Sequence, residues 1–281
     1  MRKKSKENEI KVAFQGEKGA YSEAVALEFF KAPIKTFGYQ TLSEVFSALK
    51  NKKVDFAIVP VENSIEGSVG QTYDLLLKHN LKPLAEVYHK IEHCLISFPG
   101  ENLKSIKIVY SHPQALSQCR KFLEKKKFKI IPFYNTAGSV KYLKEKKIKK
   151  AAAIASEISA KIYKMIIIKK GIQDNPKNYT RFLILSKKET KPTGFDKTLV
   201  IFRLKHVPGS LFSALKPFAK RKINLTKIES RPIVGRPWEY NFILEFEGHK
   251  KEEKIKKALK ELKKVATFLK IVGSYERAKP I

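Results

Sequence analysis

Polar side chains gather at three places where an apolar, strand-like run of the sequence ends and at a fourth where such a run begins. These clusters are residues 16–22, 60–68, 110–118 and 178–182. They offer glycines, amides and hydroxyls that can hydrogen-bond a ligand, and Arg181 supplies a cation. They contain no nucleophile next to a general base. The pattern therefore predicts a hydrogen-bonding pocket for a small anion, with no cofactor, no metal and no covalent intermediate.

Each cluster, taken alone, also has a structural explanation. Residues 16–19 fit a tight turn, Asn63 and Ser64 fit helix caps, and Ser111 or His112 fits the N-cap of a following helix. A ligand site is favoured because all four clusters lie at the ends of predicted strands. In α/β proteins, ligand-binding groups lie at the carboxyl ends of strands and on the helix N-termini that follow.

The formal net charge of +31 raises the alternative of a nucleic-acid binder. Most basic residues are lysines, many of them on predicted helix faces such as residues 250–264. No helix-turn-helix pattern and no basic stripe with interleaved aromatic residues is present. We therefore interpret the charge as a solvated surface and expect no nucleic-acid partner.

No apolar run is long enough to span a bilayer, and no secretory signal follows Met1. Cys94 and Cys119 lie in separate apolar contexts without a metal-binding pattern. This favours a reduced cytoplasmic protein over one with a disulfide. We expect no association with a membrane.

Strand-like runs alternate with amphipathic helical runs through most of the chain, which indicates an α/β fold with largely parallel sheets. Residues 187–194 are charged and end in Pro and Gly, like a linker. The chain after it follows the order βαββαβ of a ferredoxin-like unit. We therefore predict domains at residues 1–188 and 195–281.

Seven motifs, in order along the chain, resemble those of the prephenate dehydratase family with its C-terminal ACT regulatory domain. They are GEKGAYS (16–22), PVENSIEGSV (60–69), SHPQALSQC (111–119), AAIAS (152–156), NYTRFLIL (178–185), PGSLFSAL (208–215) and ESRP (229–232). The resemblance implies a two-lobed catalytic domain similar to type 2 periplasmic binding proteins. One lobe is expected to extend to about Tyr73 and to include the returning strand 181–185. The resemblance is to the monofunctional enzymes, since no chorismate mutase domain fits before Lys11.

The reaction that the resemblance implies converts prephenate to phenylpyruvate, water and carbon dioxide. Forming the aromatic ring drives it, so the difficult step is the loss of hydroxide. The resemblance assigns the donor at that oxygen to Thr180. The residues implied or added as substrate-binding are Asn63, Ser64, Ser111, Gln118, Thr136 and Arg181. Of these, Arg181 is expected to hold the pyruvyl end of the substrate.

The same resemblance implies an effector site for L-phenylalanine in the C-terminal domain, at an interface of a homodimer or homotetramer. The expected effector-binding residues are Gly209, Ser210, Leu211, Glu229, Ser230, Arg231 and Pro232. A chain that ends after about Ser186 is expected to keep some activity and to lose the inhibition.

Two further hypotheses remain open. An arogenate dehydratase would act on a substrate with an amino group in place of the ketone, and the motifs do not show that preference. An amino-acid-sensing binding protein would keep the two lobes and lose catalysis, although the sequence Thr180-Arg181-Phe182 argues against it.

Overall fold

The computed structural model describes residues 9–279. In chain order its strands and helices are β1 (Ile10–Gln15), α1 (Tyr21–Phe29), β2 (Ile34–Tyr39), α2 (Leu42–Lys50), β3 (Phe56–Asn63), β4 (Gly67–Ser68), α3 (Gly70–Lys78), β5 (Lys82–Lys90), β6 (Cys94–Ser97), β7 (Ile108–Ser111), α4 (Pro113–Gln118), α5 (Arg120–Lys126), β8 (Lys129–Pro132), α6 (Thr136–Lys146), β9 (Ala151–Ala155), α7 (Glu157–Tyr163), β10 (Ile166–Lys169), β11 (Tyr179–Ser186), β12 (Asp196–Arg203), α8 (Ser210–Lys220), β13 (Leu225–Ile233), β14 (Arg236–Glu247), α9 (Glu253–Val265) and β15 (Phe268–Glu276). No helix within this range is long and apolar enough to cross a membrane.

The strands form two sheets, which confirms the two-lobed α/β prediction. The expectation of largely parallel sheets is wrong, because both sheets are mixed: β11 is antiparallel to β3 and β5, and β6 is antiparallel to β9 and β10. The second lobe has a five-stranded sheet in the order β10-β6-β9-β7-β8. The first lobe contributes β5-β11-β3-β1-β2 to a ten-stranded sheet, with β4 beside β3. Strands β7, β8 and β9 are parallel, as are β1 and β3, so their carboxyl ends share one edge in each lobe.

The predicted lobe boundary at Tyr73 is wrong. Strand β5 still belongs to the first lobe, because it pairs antiparallel with β11 along almost its whole length, from Tyr179 opposite Lys90 to Ser186 opposite Lys82. The chain therefore crosses to the second lobe only after Lys90 and returns through residues 170–178. Both crossings lie next to the Thr180 end of β11.

The C-terminal domain has the predicted βαββαβ order, with its strands arranged β13-β14-β12-β15. Helices α8 and α9 cover one face of this sheet with a separate apolar core. The other face packs on the first lobe, where Leu199, Ile201 and Ile243 join the same core as Leu183 and Leu185. The strands of the C-terminal domain also continue the first lobe's sheet edge to edge, since β15 pairs in parallel with β5. The C-terminal domain is thus fused to the first lobe by a shared core.

Candidate active site

Thr180 and Asn63 lie opposite each other on the neighbouring strands β11 and β3. The Asn63 side-chain amide donates a hydrogen bond of 2.9 Å to the Thr180 hydroxyl oxygen. The Asn63 carbonyl oxygen accepts from the backbone N–H groups of Ile65 and Glu66, which fixes the orientation of the amide. Among the described residues the Thr180 hydroxyl accepts this bond and donates none, so its own proton is available to a ligand.

A chain of hydrogen bonds extends from Asn63 to the second lobe. Its amide also donates to Asn178 at 2.8 Å, and Asn178 donates to the Gln118 carbonyl oxygen at 2.9 Å. His93 Nε2 lies 2.9 Å from the same Gln118 oxygen. Gln118 belongs to α4 of the second lobe, whereas His93 and Asn178 lie on the two crossings. The structure thus brings the predicted residues Thr180, Asn63 and Gln118 together.

His93 is a buried, neutral member of this network. Burial lowers the pKa of His93 below its usual value, and its bond to Gln118 opposes that change only in part. The Gln118 oxygen can only accept, so Nε2 carries the proton and Nδ1 is an acceptor. The Tyr21 hydroxyl lies 2.9 Å from both Nδ1 and the Glu92 carbonyl oxygen and shares its proton between them. Sequence reasoning missed His93 because it stands in no motif. Asn178 was inside a quoted motif but was not assigned to the site.

The lobes touch across the cleft at Gly19, in the loop before α1. The Gly19 carbonyl oxygen accepts bonds from the Ser156 and Ser159 hydroxyls at 2.6 and 2.8 Å. Gly19 has a φ of +90°, and a Cβ there would lie 2.8 Å from the Ser159 Cα atom. Beside it, Glu17 accepts from Lys141 of α6 at 3.0 Å. The sequence placed Gly19 in a cluster that was expected to face a ligand. In the structure the backbone of Gly19 contacts the second lobe instead.

Three of the remaining predicted substrate-binding residues do not join the network. Ser64 donates to the Lys177 carbonyl oxygen and accepts from the Tyr179 N–H, so it fastens the returning crossing to β3. Ser111 ends β7 and donates to the Ile154 carbonyl oxygen at 2.6 Å. Thr136 is the first residue of α6, and the cap of this helix is Asn135, whose side chain accepts from the Gly138 N–H.

The substrate role predicted for Arg181 is wrong. Successive side chains of a strand point to opposite faces, so Thr180 facing the cleft turns Arg181 away from it. The guanidinium is buried between the first lobe and the C-terminal domain, where it donates to Glu245 at 2.6 and 3.1 Å. It also donates to Glu86 and Glu62, each at 3.0 Å. Burial disfavours its charge, but Glu245 holds the pKa of Arg181 above its usual value.

The C-terminal domain carries a cavity of about 560 Å³ at the start of α8. Ser210 and Leu211, two of the predicted effector residues, line it. Gly209 precedes them as the helix N-cap in the left-handed conformation, with a φ of +78°. The rest of the lining combines cations, a carboxylate and aromatic rings, among them Arg203, Arg236, Glu239, Trp238 and Tyr240.

The ESRP segment on β13 divides between two faces. Glu229 and Arg231 point to the first lobe, where they bond Ser68 and Asp74, the latter at 2.6 and 2.8 Å. The prediction that their side chains shape the effector pocket is therefore wrong within one chain. Ser230 and Pro232 lie opposite Phe242 and Tyr240, both of which line the cavity. Cross-strand partners share a face, so these two residues flank it.

The motifs, their order and the network can be compared with known proteins. A family model described as Prephenate dehydratase matches residues 12–190, and one described as ACT domain matches residues 198–264. The chain belongs to the prephenate dehydratase family. Its C-terminal domain is an ACT domain.

Three relatives illustrate the likeness. The chain is 42% identical over 276 residues to a bifunctional chorismate mutase/prephenate dehydratase from Aquifex aeolicus, covering 98% of this chain and 75% of the relative. It is 40% identical over 277 residues to arogenate dehydratase/prephenate dehydratase 2, chloroplastic, from Arabidopsis thaliana, covering 95% and 72%. The crystal structure of a prephenate dehydratase from Arthrobacter aurescens in complex with L-Phe superposes with a TM-score of 0.87 at 29% identity, covering 97% and 92%.

Proposed function

We propose that this chain is a hydro-lyase that converts prephenate to phenylpyruvate, water and carbon dioxide. The observation that carries the proposal is the Thr180 hydroxyl, held by Asn63 with its proton free at the meeting point of the two lobes. Family membership supplies the reaction, and this geometry supplies the group that it needs.

The hydroxyl assists departure of the substrate oxygen. As the carbon–carbon bond to the leaving carboxylate breaks, its electron pair enters the ring and carbon dioxide departs. The ring carbon–oxygen bond breaks with both electrons on the oxygen, which gains one proton, supplied in the net reaction by solvent, and leaves as water. Thr180 donates a hydrogen bond to that oxygen while Asn63 stabilises charge that develops on Thr180. Such donors contribute on the order of 10²–10⁴ in rate. Gln118 and Asn178 present further polar groups beside it.

Closure of the lobes completes the site. The contact of Gly19 with Ser156 and Ser159 covers the cleft from the side of α7 and excludes water from it. The start of α6, where the first N–H groups and the helix dipole favour negative charge, is the position that we propose for the pyruvyl carboxylate. We assign Ser64, Ser111 and Thr136 to the polar wall around the substrate.

Purified protein incubated with prephenate tests the proposal, with arogenate as the comparison substrate. The relatives' names include both substrates, so arogenate dehydratase stays the second candidate. We expect phenylpyruvate to form with a higher kcat/KM than phenylalanine forms from arogenate. Turnover of neither substrate, together with binding of an amino acid in the cleft, would replace the enzyme by a binding protein.

We also propose that L-phenylalanine binds the ACT cavity at an interface between two copies of the chain. An amino acid needs a cation for its carboxylate, an acceptor for its ammonium group and an apolar surface, and Arg236, Glu239 and Trp238 supply these types. Apolar side chains stand exposed near it: Val207 58%, Phe212 70%, Val234 95% and Trp238 79%. Such a patch is typical of a subunit interface.

Calorimetry with L-phenylalanine and sedimentation in its presence test this part. We expect binding, a dimer or tetramer, and inhibition of turnover with a sigmoidal dependence on phenylalanine. Trp238→Ala should weaken both binding and association, whereas Ile162→Ala, which removes another exposed apolar group from α7, should change neither. A monomer that binds no phenylalanine would contradict the proposal.

The buried thiols Cys94 and Cys119 agree with a cytoplasmic location.

A further inference from the structure

Arg181 is next to Thr180 in the chain but belongs to a buried charge cluster on the opposite face of the sheet. Two residues joined by one peptide bond cannot move independently, so the position of the Arg181 backbone sets where the Thr180 hydroxyl lies. The ladder between β11 and β3 is interrupted just there, because Arg181 pairs with Glu62 and Phe182 pairs with Pro60. This bulge leaves Val61 without a partner on β11 and weakens the hold of β3 on the segment, while the ladder to β5 continues from Tyr179 to Ile184.

A further contact that fixes the Arg181 side chain comes from the ACT domain. Both oxygens of Glu245, which is 1% exposed on β14, accept from the two terminal nitrogens of Arg181 at 2.6 and 3.1 Å. A bidentate pair of this kind fixes direction as well as distance. Glu86 is shared with Lys197 at 2.7 Å, and Glu62 with Lys227 at 3.4 Å. Glu245, by contrast, forms its ion pair with Arg181 alone among the described residues.

We propose that Glu245 of the ACT domain is a positioning residue for the dehydration: it holds Arg181, and Arg181 keeps Thr180 at the hydrogen bond of Asn63. This proposal rests on the proposed function and adds to it a physical connection between the regulatory domain and the reacting hydroxyl. A rearrangement of the ACT domain that shifts β14 also moves the strand that carries Thr180.

Glu245→Gln is the variant that tests the proposal. It keeps the side chain's shape and one acceptor oxygen. It removes the negative charge and the second acceptor oxygen, so the pair with Arg181 can no longer be bidentate. A displacement of about 1 Å in a catalytic group costs up to ~10²-fold in rate, so we expect kcat to fall by about 10-fold to 100-fold with KM for prephenate unchanged.

Glu247→Gln is the matched control. Glu247 lies two residues further along β14, on the same face, and also pairs with an arginine, Arg277. That pair stays within the ACT domain and does not reach β11, so kcat should remain at its original value. An equal fall in kcat for both variants would mean that β14 charges act only through stability, and would overturn the proposal.

The decisive comparison repeats Glu245→Gln in a Thr180→Ala background. If Glu245 acts through Thr180, the second substitution adds little once the hydroxyl is gone, because the two effects are not additive. The same fold-loss of kcat in both backgrounds would refute the connection. If Glu245→Gln does not yield folded protein, Arg181→Lys takes its place in the cycle, since lysine keeps the charge without the fork.

Hydrogen exchange of residues 178–182 gives a readout independent of turnover. Exchange in this segment should rise in Glu245→Gln and stay unchanged in Glu247→Gln. Unchanged exchange in both would overturn the proposal. A chain that does not turn over prephenate at all would remove the proposed function, and the exchange experiment would still decide whether Glu245 positions β11.

Discussion

Gly19→Ala should separate the two lobes without unfolding either. Gly19 sits in a loop whose carbonyl oxygen is held by two serine hydroxyls of the other lobe, and an added Cβ would stand 2.8 Å from the Ser159 Cα atom. Backbone cannot give way as a flexible side chain can, so the loop must withdraw. Loss of two hydrogen bonds of about 0.5–1.5 kcal/mol each lowers kcat/KM by about 5-fold to 150-fold.

Gly100→Ala is the control for this prediction. Gly100 has the same φ of +90°, but a Cβ there meets no atom within 4 Å. Both variants therefore carry the strain of an alanine at positive φ, about 1–3 kcal/mol. Steady-state kinetics with prephenate and urea unfolding of both variants separate the two effects. A kcat/KM for Gly19→Ala equal to that of Gly100→Ala would refute the argument that lobe contact at Gly19 is needed for turnover.

Three further predictions concern the network and the shared core. Asn63→Asp should lower kcat nearly as far as loss of the Thr180 hydroxyl, because a carboxylate facing the hydroxyl accepts its hydrogen bond and leaves no proton for the substrate. Steady-state kinetics at saturating prephenate measures the change, and an unchanged kcat contradicts the prediction. A chain ending at Ser186 should aggregate rather than retain activity as the sequence suggested, because removing Leu199, Ile201 and Ile243 uncovers the first lobe's core; size-exclusion chromatography shows the outcome. The stability that neutral His93 contributes should be complete above about pH 6.5 and should fall as the pH drops through the lowered pKa of His93 in the folded protein. Measured as the difference in unfolding free energy between the unmodified protein and His93→Gln, this contribution should shrink toward acid pH.

The sequence alone predicted the α/β architecture and the order of the C-terminal strands and helices because both depend on local periodicity. The lobe boundary depends on which distant strands pair, and nothing in Lys82–Lys90 shows that it lies beside β11. Thr180, Asn63 and Gln118 could be predicted together because each stands in one of the motifs, at the beginning or end of a strand or at the end of a helix.

The errors at Arg181, Glu229 and Arg231 share one physical cause. Each was read as part of a motif, and a motif does not say which face of a strand a side chain occupies. The alternation of a strand already forbids Thr180 and Arg181 from facing the same cleft. Only the structure shows which of the two faces the cleft, and that a carboxylate of the ACT domain binds the other one.

The most direct test of the account is the turnover of prephenate by the unmodified protein, Thr180→Ser and Thr180→Ala, measured as phenylpyruvate formed. Serine keeps the hydroxyl that Asn63 orients, and alanine removes it. We predict that Thr180→Ala stays folded, binds substrate and loses about two to four orders of magnitude in kcat, while Thr180→Ser retains most of it. A folded Thr180→Ala variant with nearly normal kcat would contradict the central claim that this hydroxyl assists the loss of hydroxide.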